Sequence, residues 1–513
     1  MSEPEEGTPI IIDVGSAYVK VGYAGDSEPR YIFPCITGTE KYQTVMVDVD
    51  ARNLYVGNDA MNMRGVLKLE RPIERGQIQD WNDYYEILNH IFYNLLRLES
   101  VAEYPVIYVE HPFVAKETKE YIARVLFETH SVKSLVMVPS PLLSMFSIGL
   151  TTGLVVESGD GVTWTVPIID GQIMEQATQR LYLAGIDVNH NFKSLLMREG
   201  INLDASALEQ IIQEIKEKNC YMVLDPDNPN ETRDALEYSM PDGSIIQIPN
   251  HILYEAPEVL FQPGMLGYNM KNITQATIYS LQMMEKTYWG DLLSHIVLSG
   301  GNLSYSGFTE RFKQELKKSL PQLGPIPKPA GSKEIGTTQE KQGLQPVEGK
   351  EKKTDTCPKC GELIDLSDDN EFCPQCGAKM KIPKIPIAIN MEDEKGAKKE
   401  ETPEELICPH CNKKITDSTS RFCPYCGKNI PEEPDLGPVE EKVEKAPEAK
   451  EFTGFYEESE NIIKFYIPEN LQTSIFDGAS ILGSLPSFQR LFITQEDFQQ
   501  NKDLLYRDIS EIL

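Results

Sequence analysis

Ile10-Ile11-Ile12-Asp13-Val14-Gly15-Ser16-Ala17-Tyr18-Val19-Lys20-Val21-Gly22-Tyr23 is the stretch from which the rest of the chain can be read. An apolar run ends in an acidic, glycine-containing turn. Val19, Val21 and Tyr23 then alternate with Lys20, Gly22 and Ala24. The pattern predicts a strand, a tight turn and a returning strand, a β-hairpin. A turn built from Gly15 and Ser16 leaves backbone N–H groups pointing outward beside a hydroxyl, a nest that suits a phosphate oxygen. Asp13 at the strand end can hold a hydrated Mg²⁺, and Lys20 can reach phosphates. Taken alone, such a turn is more often only a turn.

The plan recurs later in the chain. An apolar run from Gly153 to Val156 leads into Glu157-Ser158-Gly159-Asp160-Gly161-Val162-Thr163, and Thr163, Val166 and Ile168 read as the returning strand. A third glycine turn, Ser299-Gly300-Gly301-Asn302, follows the apolar Ile296-Val297-Leu298. Three such turns predict one nucleotide held between two related domains. Apolar runs alternating with helical patterns set the class as α/β.

Eight further stretches carry a family resemblance: GYAGDSEPR (22–30), YVGNDA (55–60), FYNLLR (92–97), SGDGVTWTVPI (158–168), LAGID (183–187), IKEKNCY (215–221), LFQP (260–263) and VLSGG (297–301). In these the chain resembles actins and actin-related proteins, over roughly residues 9–321 and from 462 to the C-terminus. The resemblance implies an actin-like ATPase fold, two related α/β domains around a nucleotide cleft, here interrupted by two small zinc ribbons. It places Asp13, Gly15, Ser16 and Lys20 around the phosphates and metal, with Ser158, Gly159, Asp160, Gly161 and Val162 opposite. Gly185, Lys216, Glu217, Gly300, Gly301 and Tyr305 line the nucleoside end. The implied cofactor is ATP or ADP with Mg²⁺.

The chain departs from the family where water is handled. The glutamine expected just after the strand preceding the Leu142 helix is Ser140, between Pro139 and Pro141; the expected histidine is Trp164; the acidic residue opening the second turn is Glu157 rather than aspartate. Serine is too short to reach where a glutamine amide reaches, and an indole cannot accept a proton. Phosphoryl transfer depends on positioning, so slow or absent hydrolysis is expected. Gln472 and Gln213 replace basic residues of the family, which bears on nucleotide affinity or base selectivity.

The 513 residues imply several domains with ample apolar content. A formal net charge of -30 disfavours nonspecific nucleic-acid binding by the whole surface. No apolar run is long enough for a membrane helix, and the acidic start MSEPEEG is no signal peptide. Of ten cysteines, Cys35 and Cys220 stand alone and read as buried thiols. The usage fits a reducing cytosol.

The other eight cysteines are paired: Cys357 and Cys360 with Cys373 and Cys376, then Cys408 and Cys411 with Cys423 and Cys426. Two C-x-x-C turns facing each other make a tetrahedral four-sulfur site, the geometry of structural zinc. Two structural Zn²⁺ are expected, with iron or free thiols as the alternatives and His410 a bystander. Phe372, Phe422 and Tyr425 serve equally as a tiny core or a contact surface. The first ribbon is acidic and the second mildly basic. The bound partner is read first as a docking protein; nucleic acid, through the second ribbon only, and no partner at all are the other readings.

Residues 1–8 form a polar tail, 9–152 the first actin-like domain with a small subdomain at about 35–71, and 153–323 the second. Residues 324–356 read as a disordered linker, 357–380 and 408–430 as ribbons, and 381–407 and 431–461 as further linkers. Residues 462–513 complete the body, so the insertion's ends must lie close together. Residues 38–58, with Asp48, Asp50 and Arg52, form an exposed loop; in actins the matching loop contacts the next subunit. Asp83 is expected to cap a helix bearing Ile87, Ile91, Leu95 and Leu98. A helix over 116–129 packs through Tyr121, Ile122, Val125, Leu126 and Phe127. Another over 206–220 turns Leu208, Ile211, Ile212 and Ile215 inward, with Lys216 and Glu217 together on its exposed side. Gly478, Ala479 and Ser480 precede a short helix.

Three functions fit. The first is an actin-related cytoplasmic, cytoskeletal protein that binds Mg-ATP and uses its ribbons for docking or assembly control, with itself or other actin-family subunits as partners. The second is a filament-forming, ATP-hydrolysing actin decorated by ribbons. The third is a chromatin-associated actin-related subunit, which the acidic bulk disfavours.

Overall fold

Two sheets of the same topology carry the body. In the computed structural model, strand Ile10–Val14 pairs antiparallel with Tyr18–Tyr23, which pairs antiparallel with Tyr31–Pro34. On its other side Ile10–Val14 runs parallel to Pro105–Glu110, and that strand parallel to Ser134–Pro139. The second sheet repeats this order. Gly153–Ser158 leads antiparallel into Thr163–Ile169 and then Gln172–Ile173. On the other side it runs parallel to Ile296–Ser299, and that strand parallel to Phe465–Tyr466. The structure describes residues 7–41, 54–201, 205–229, 233–240, 243–327, 354–356, 363–365 and 462–507.

The apolar runs are continuous because both faces of each sheet are covered. Ile10 and Ile12 enter a core with Ile87, Ile91, Ile122 and Leu126. Ile11 turns the other way, into a layer shared with Ile107, Val155 and Val297 and with helices Ser140–Phe146 and Ser474–Gly483. Leu154, Val156 and Leu298 face a third core with Phe192, Phe308, Phe312 and Leu316. The two helices of the shared layer touch closely: a Cβ on Gly478 would lie 1.9 Å from the Leu143 carbonyl oxygen. Gly478 therefore sits inside its helix, not ahead of it.

Other local expectations shift for physical reasons. Asp80 is the cap of helix Trp81–Asn89, its carboxylate accepting from the Asn82 and Asp83 N–H groups. Asp83 accepts instead from the Thr37 hydroxyl at 2.5 Å. Helix Lys116–Arg124 ends in a wider turn over Val125–Thr129, and Tyr121 is exposed with its ring against Trp81. Ile211, Ile212 and Ile215 are buried as expected, whereas Leu208 lies outside the described side chains. Phe308, Phe312 and Leu316 are fully buried. Cys35 and Cys220 are free, buried thiols.

The chain divides into two compact units, Met1–Thr338 with Glu451–Leu513, and Gln339–Lys450. In the first unit Ile326 packs in the same core as Ile462 and Ile463, so the chain before and after the insertion meets there. In the second, strands Thr354–Thr356 and Leu363–Asp365 pair antiparallel. The tip of the 38–58 loop, with Asp48, Asp50 and Arg52, the eight paired cysteines, His410, Phe372, Phe422, Tyr425 and residues 366–461 lie outside the described residues.

Candidate functional site

Three glycine turns face one cavity of about 230 Å³. The first joins Ile10–Val14 to Tyr18–Tyr23, and the Gly15 N–H closes it on the Tyr18 carbonyl at 3.0 Å. The second is closed by the Gly159 N–H on the Val162 carbonyl at 3.1 Å. The third leaves Ile296–Ser299 through Gly300, whose φ is +89° and where a Cβ would lie 2.2 Å from the Ser158 carbonyl oxygen; a side chain cannot be accommodated there. Among the described residues, the Ser16, Asp160 and Gly161 N–H groups bond no backbone carbonyl.

Asp13, Gly15, Ser16 and Lys20 line the cavity from the first turn, and Gly159, Asp160, Gly161 and Val162 from the second. The Lys20 ammonium pairs with Asp13 at 2.7 Å, both side chains nearly buried. Asp160 accepts from the Arg71 guanidinium at 3.2 Å and lies 3.8 Å from the Lys216 ammonium. Ser158 is buried behind the lining. Its hydroxyl lies 2.6 Å from that of Thr163 and accepts from the Asn302 amide at 2.9 Å, which braces the third turn.

Gly185, Lys216, Glu217, Gly300, Gly301 and Tyr305 line the same cavity, as do Gln213 and Gln472. Lys216 is not on an exposed face: it is 4 % exposed and donates to the Gly185 carbonyl and the Gln213 side chain, each at 3.1 Å. Burial lowers its pKa, opposed by Asp160. Glu217 stays at the surface and accepts from the Tyr18 hydroxyl and the Gln213 amide.

The three positions where water handling was expected are placed differently. Glu157 lines the cavity; Ser140 and Trp164 do not. Ser140 opens helix Ser140–Phe146, is 1 % exposed, and donates its hydroxyl to Glu157 Oε1 at 2.8 Å. Burial is the main cause that pushes the Glu157 carboxyl up to about 7, with Asp13 adding and Ser140 and Lys20 opposing. Trp164 is buried under the Arg180 guanidinium, 5.2 Å from its ring centroid, and beside Phe113.

Two features escaped the sequence reading. A hairpin of Ile73–Glu74 and Gln77–Ile78 turns at Arg75 and Gly76, both with positive φ, and its tip lies between the first two glycine turns. The Gly76 N–H donates to Ser16 Oγ at 3.0 Å, and Arg75 makes paired 2.8 Å bonds to the buried Asp187. Asn-Gly or Asp-Gly would have signalled this turn; Arg-Gly does not. The second is His111, which follows strand Pro105–Glu110 and lines the cavity. Its position at the carboxyl end of a parallel strand was the available signal.

This lattice of glycine turns on twin sheets agrees with a direct comparison: the actin family model matches residues 4–333, more than half of the chain. The chain belongs to the actin family. A double zinc ribbon model matches residues 357–427, so an actin-family body carries an inserted zinc-ribbon module. The paired strands Thr354–Thr356 and Leu363–Asp365 flank Cys357 and Cys360 in sequence. Among the described residues there is no cluster of metal-ligating side chains, and no helix is long and apolar enough to cross a membrane.

Proposed function

We propose that this actin-family protein binds Mg-ATP or Mg-ADP between its two halves, hydrolyses it slowly, and uses its ribbons, each holding one structural Zn²⁺, to dock a protein or control assembly. The convergence of the three glycine turns on a single cavity carries the reading. The N–H groups of Ser16, Asp160 and Gly161, which bond no backbone carbonyl among the described residues, suit phosphate oxygens, and the Asp13–Lys20 pair offers a carboxylate for a hydrated cation beside an ammonium for phosphate. When bound, Mg²⁺ neutralises phosphate charge. Glu217, lining the same cavity, can accept from ribose hydroxyls.

The chain's own residues argue for slow turnover. Ser140 spends its hydroxyl on Glu157, and Trp164 is walled off beneath Arg180. Neither is placed to orient water. In the cytoplasm such a protein would act in a cytoskeleton, its partners being copies of itself or other actin-fold subunits.

Titration calorimetry with Mg-ATP tests the reading. Wild-type protein should bind one adenine nucleotide per chain, and Lys20→Ala should weaken binding at least tenfold by removing a buried charge from the phosphate end. Folded wild-type protein that binds no nucleotide would refute it.

A further inference from the structure

His111 lies where the first glycine turn and the second sheet's turn face each other. Strands Ile10–Val14 and Pro105–Glu110 are parallel, with Ile12 opposite Tyr108. Continuing that register past the strand ends brings His111 level with Gly15. The imidazole shares the cavity wall with Asp13, Lys20, Glu157 and Gly161. It is packed against the hairpin tip: a Cβ on Gly76 would come within 3.2 Å of its ring. Its Nδ1 is buried and has no hydrogen-bond partner among the described residues. To accept a proton at Nε2, the neutral ring carries its hydrogen on Nδ1. Burial, with Arg180 and Lys20 acting the same way and Asp13 opposing, holds the imidazole below the usual histidine range, so at neutral pH the ring is uncharged and can accept a proton.

We propose that His111 holds and deprotonates the attacking water in the slow hydrolysis of bound ATP, in place of Ser140 and Trp164. This rests on the nucleotide-binding reading above. The water oxygen bonds to the γ-phosphorus while the bond from that phosphorus to the β–γ bridging oxygen breaks, its electron pair staying on the β-phosphate. One water proton passes to His111 and from there to the released phosphate. General-base assistance of this kind contributes on the order of 10²–10⁴-fold. The residue arrives from the neighbouring parallel strand: Glu110 pairs with Pro139, which brings His111 level with Ser140.

The test compares full-length wild type, His111→Ala and His111→Gln. Nucleotide affinity is measured by calorimetry, single-turnover phosphate release with a coupled probe, and the imidazole ¹⁵N shifts by NMR before and after adding ADP with beryllium fluoride. His111→Ala should bind Mg-ATP within about twofold of wild type yet release phosphate at least tenfold more slowly, with partial recovery in millimolar imidazole. His111→Gln, close in size, keeps the fold and can orient water without taking its proton, so it should fall between the two. The wild-type ring nitrogen shifts should move when the phosphate mimic binds. Three outcomes overturn the proposal: His111→Ala hydrolysing at the wild-type rate, wild type binding ATP but releasing no phosphate, or His111→Ala losing nucleotide binding while folded. Failure of wild type to bind nucleotide would instead remove the reading on which the proposal rests.

Discussion

A single carboxyl shows how far one side chain's environment reaches. Glu157 is buried, one oxygen held by Ser140 and the other without a hydrogen-bond partner among the described residues. Its folded pKa, about 7, lies above the ordinary value of 4.5. Between those values the folded protein holds a proton that the unfolded chain has released. The stability tied to that proton is present in full below 4.5 and lost as pH rises through about 7, a change of up to about 3 kcal/mol. Nucleotide-free wild type should therefore unfold at progressively lower urea concentration between pH 5 and pH 8. Glu157→Gln, which keeps an acceptor for Ser140, should flatten that slope and be the more stable of the two at pH 8. Parallel pH profiles for the two proteins would count against this account. The acidic residue itself was legible in the sequence. Its protonation was not, because burial and the Ser140 bond arise only when helix Ser140–Phe146 packs on the second sheet.

The Arg75–Gly76 hairpin shows the same limit for an element. Apolar runs revealed the long strands, since a strand covered on both faces has to be apolar throughout. This hairpin has two-residue strands and no apolar run. It is held by polar bonds: Gly76 to Ser16, Arg75 to Asp187, and the Arg180 guanidinium to the Arg75 carbonyl at 2.9 Å. Asp187 is fully buried and also accepts from the Ala184 N–H and the Tyr268 hydroxyl. Arg75→Ala would leave this carboxylate without its cation, a loss expected to cost about 3 kcal/mol, the low end for a buried pair because Arg75 is partly exposed, read as a lowered urea midpoint at neutral pH. Arg75→Lys should recover only part, because an ammonium cannot make the paired bonds of a guanidinium. Equal stability of wild type and Arg75→Ala would show that the hairpin does not depend on Asp187. Asp80 displacing Asp83 as a helix cap has a similar cause, since two neighbouring aspartates look alike in sequence and Thr37 decides between them.

For the whole molecule, the cysteine spacing was the plainest signal in the chain, and the double zinc ribbon match falls on it. Purified protein never exposed to chelator should contain about two zinc atoms per chain; one or none would contradict the four-cysteine assignment. Cys357→Ser and Cys408→Ser should each lose one zinc and leave the nucleotide affinity of the body unchanged. Assembly can be tested by removing residues 328–461 and rejoining the chain with a short Gly/Ser linker. Ile326 and Ile462 must stay, because both pack in the third core, with Phe308 and Phe312. If the insertion restrains self-association, the shortened protein should form more polymer, or form it at lower concentration, by light scattering and electron microscopy. Identical behaviour of the two proteins would make the insertion a tether only.

Strand Phe465–Tyr466 closes one edge of the second sheet, yet it is made after the entire insertion. At about 5–20 residues per second, a ribosome needs on the order of ten seconds to pass from Pro327 to Ile462. Throughout that interval the edge of Ile296–Ser299 has no partner, and the layer beneath it lacks helix Ser474–Gly483. An unpaired, apolar strand edge is a template for wrong pairing. The order of synthesis thus sets a schedule in which the ribbons leave the ribosome first, and the body stays open to capture by chaperones or by neighbouring nascent chains until its last fifty or so residues arrive.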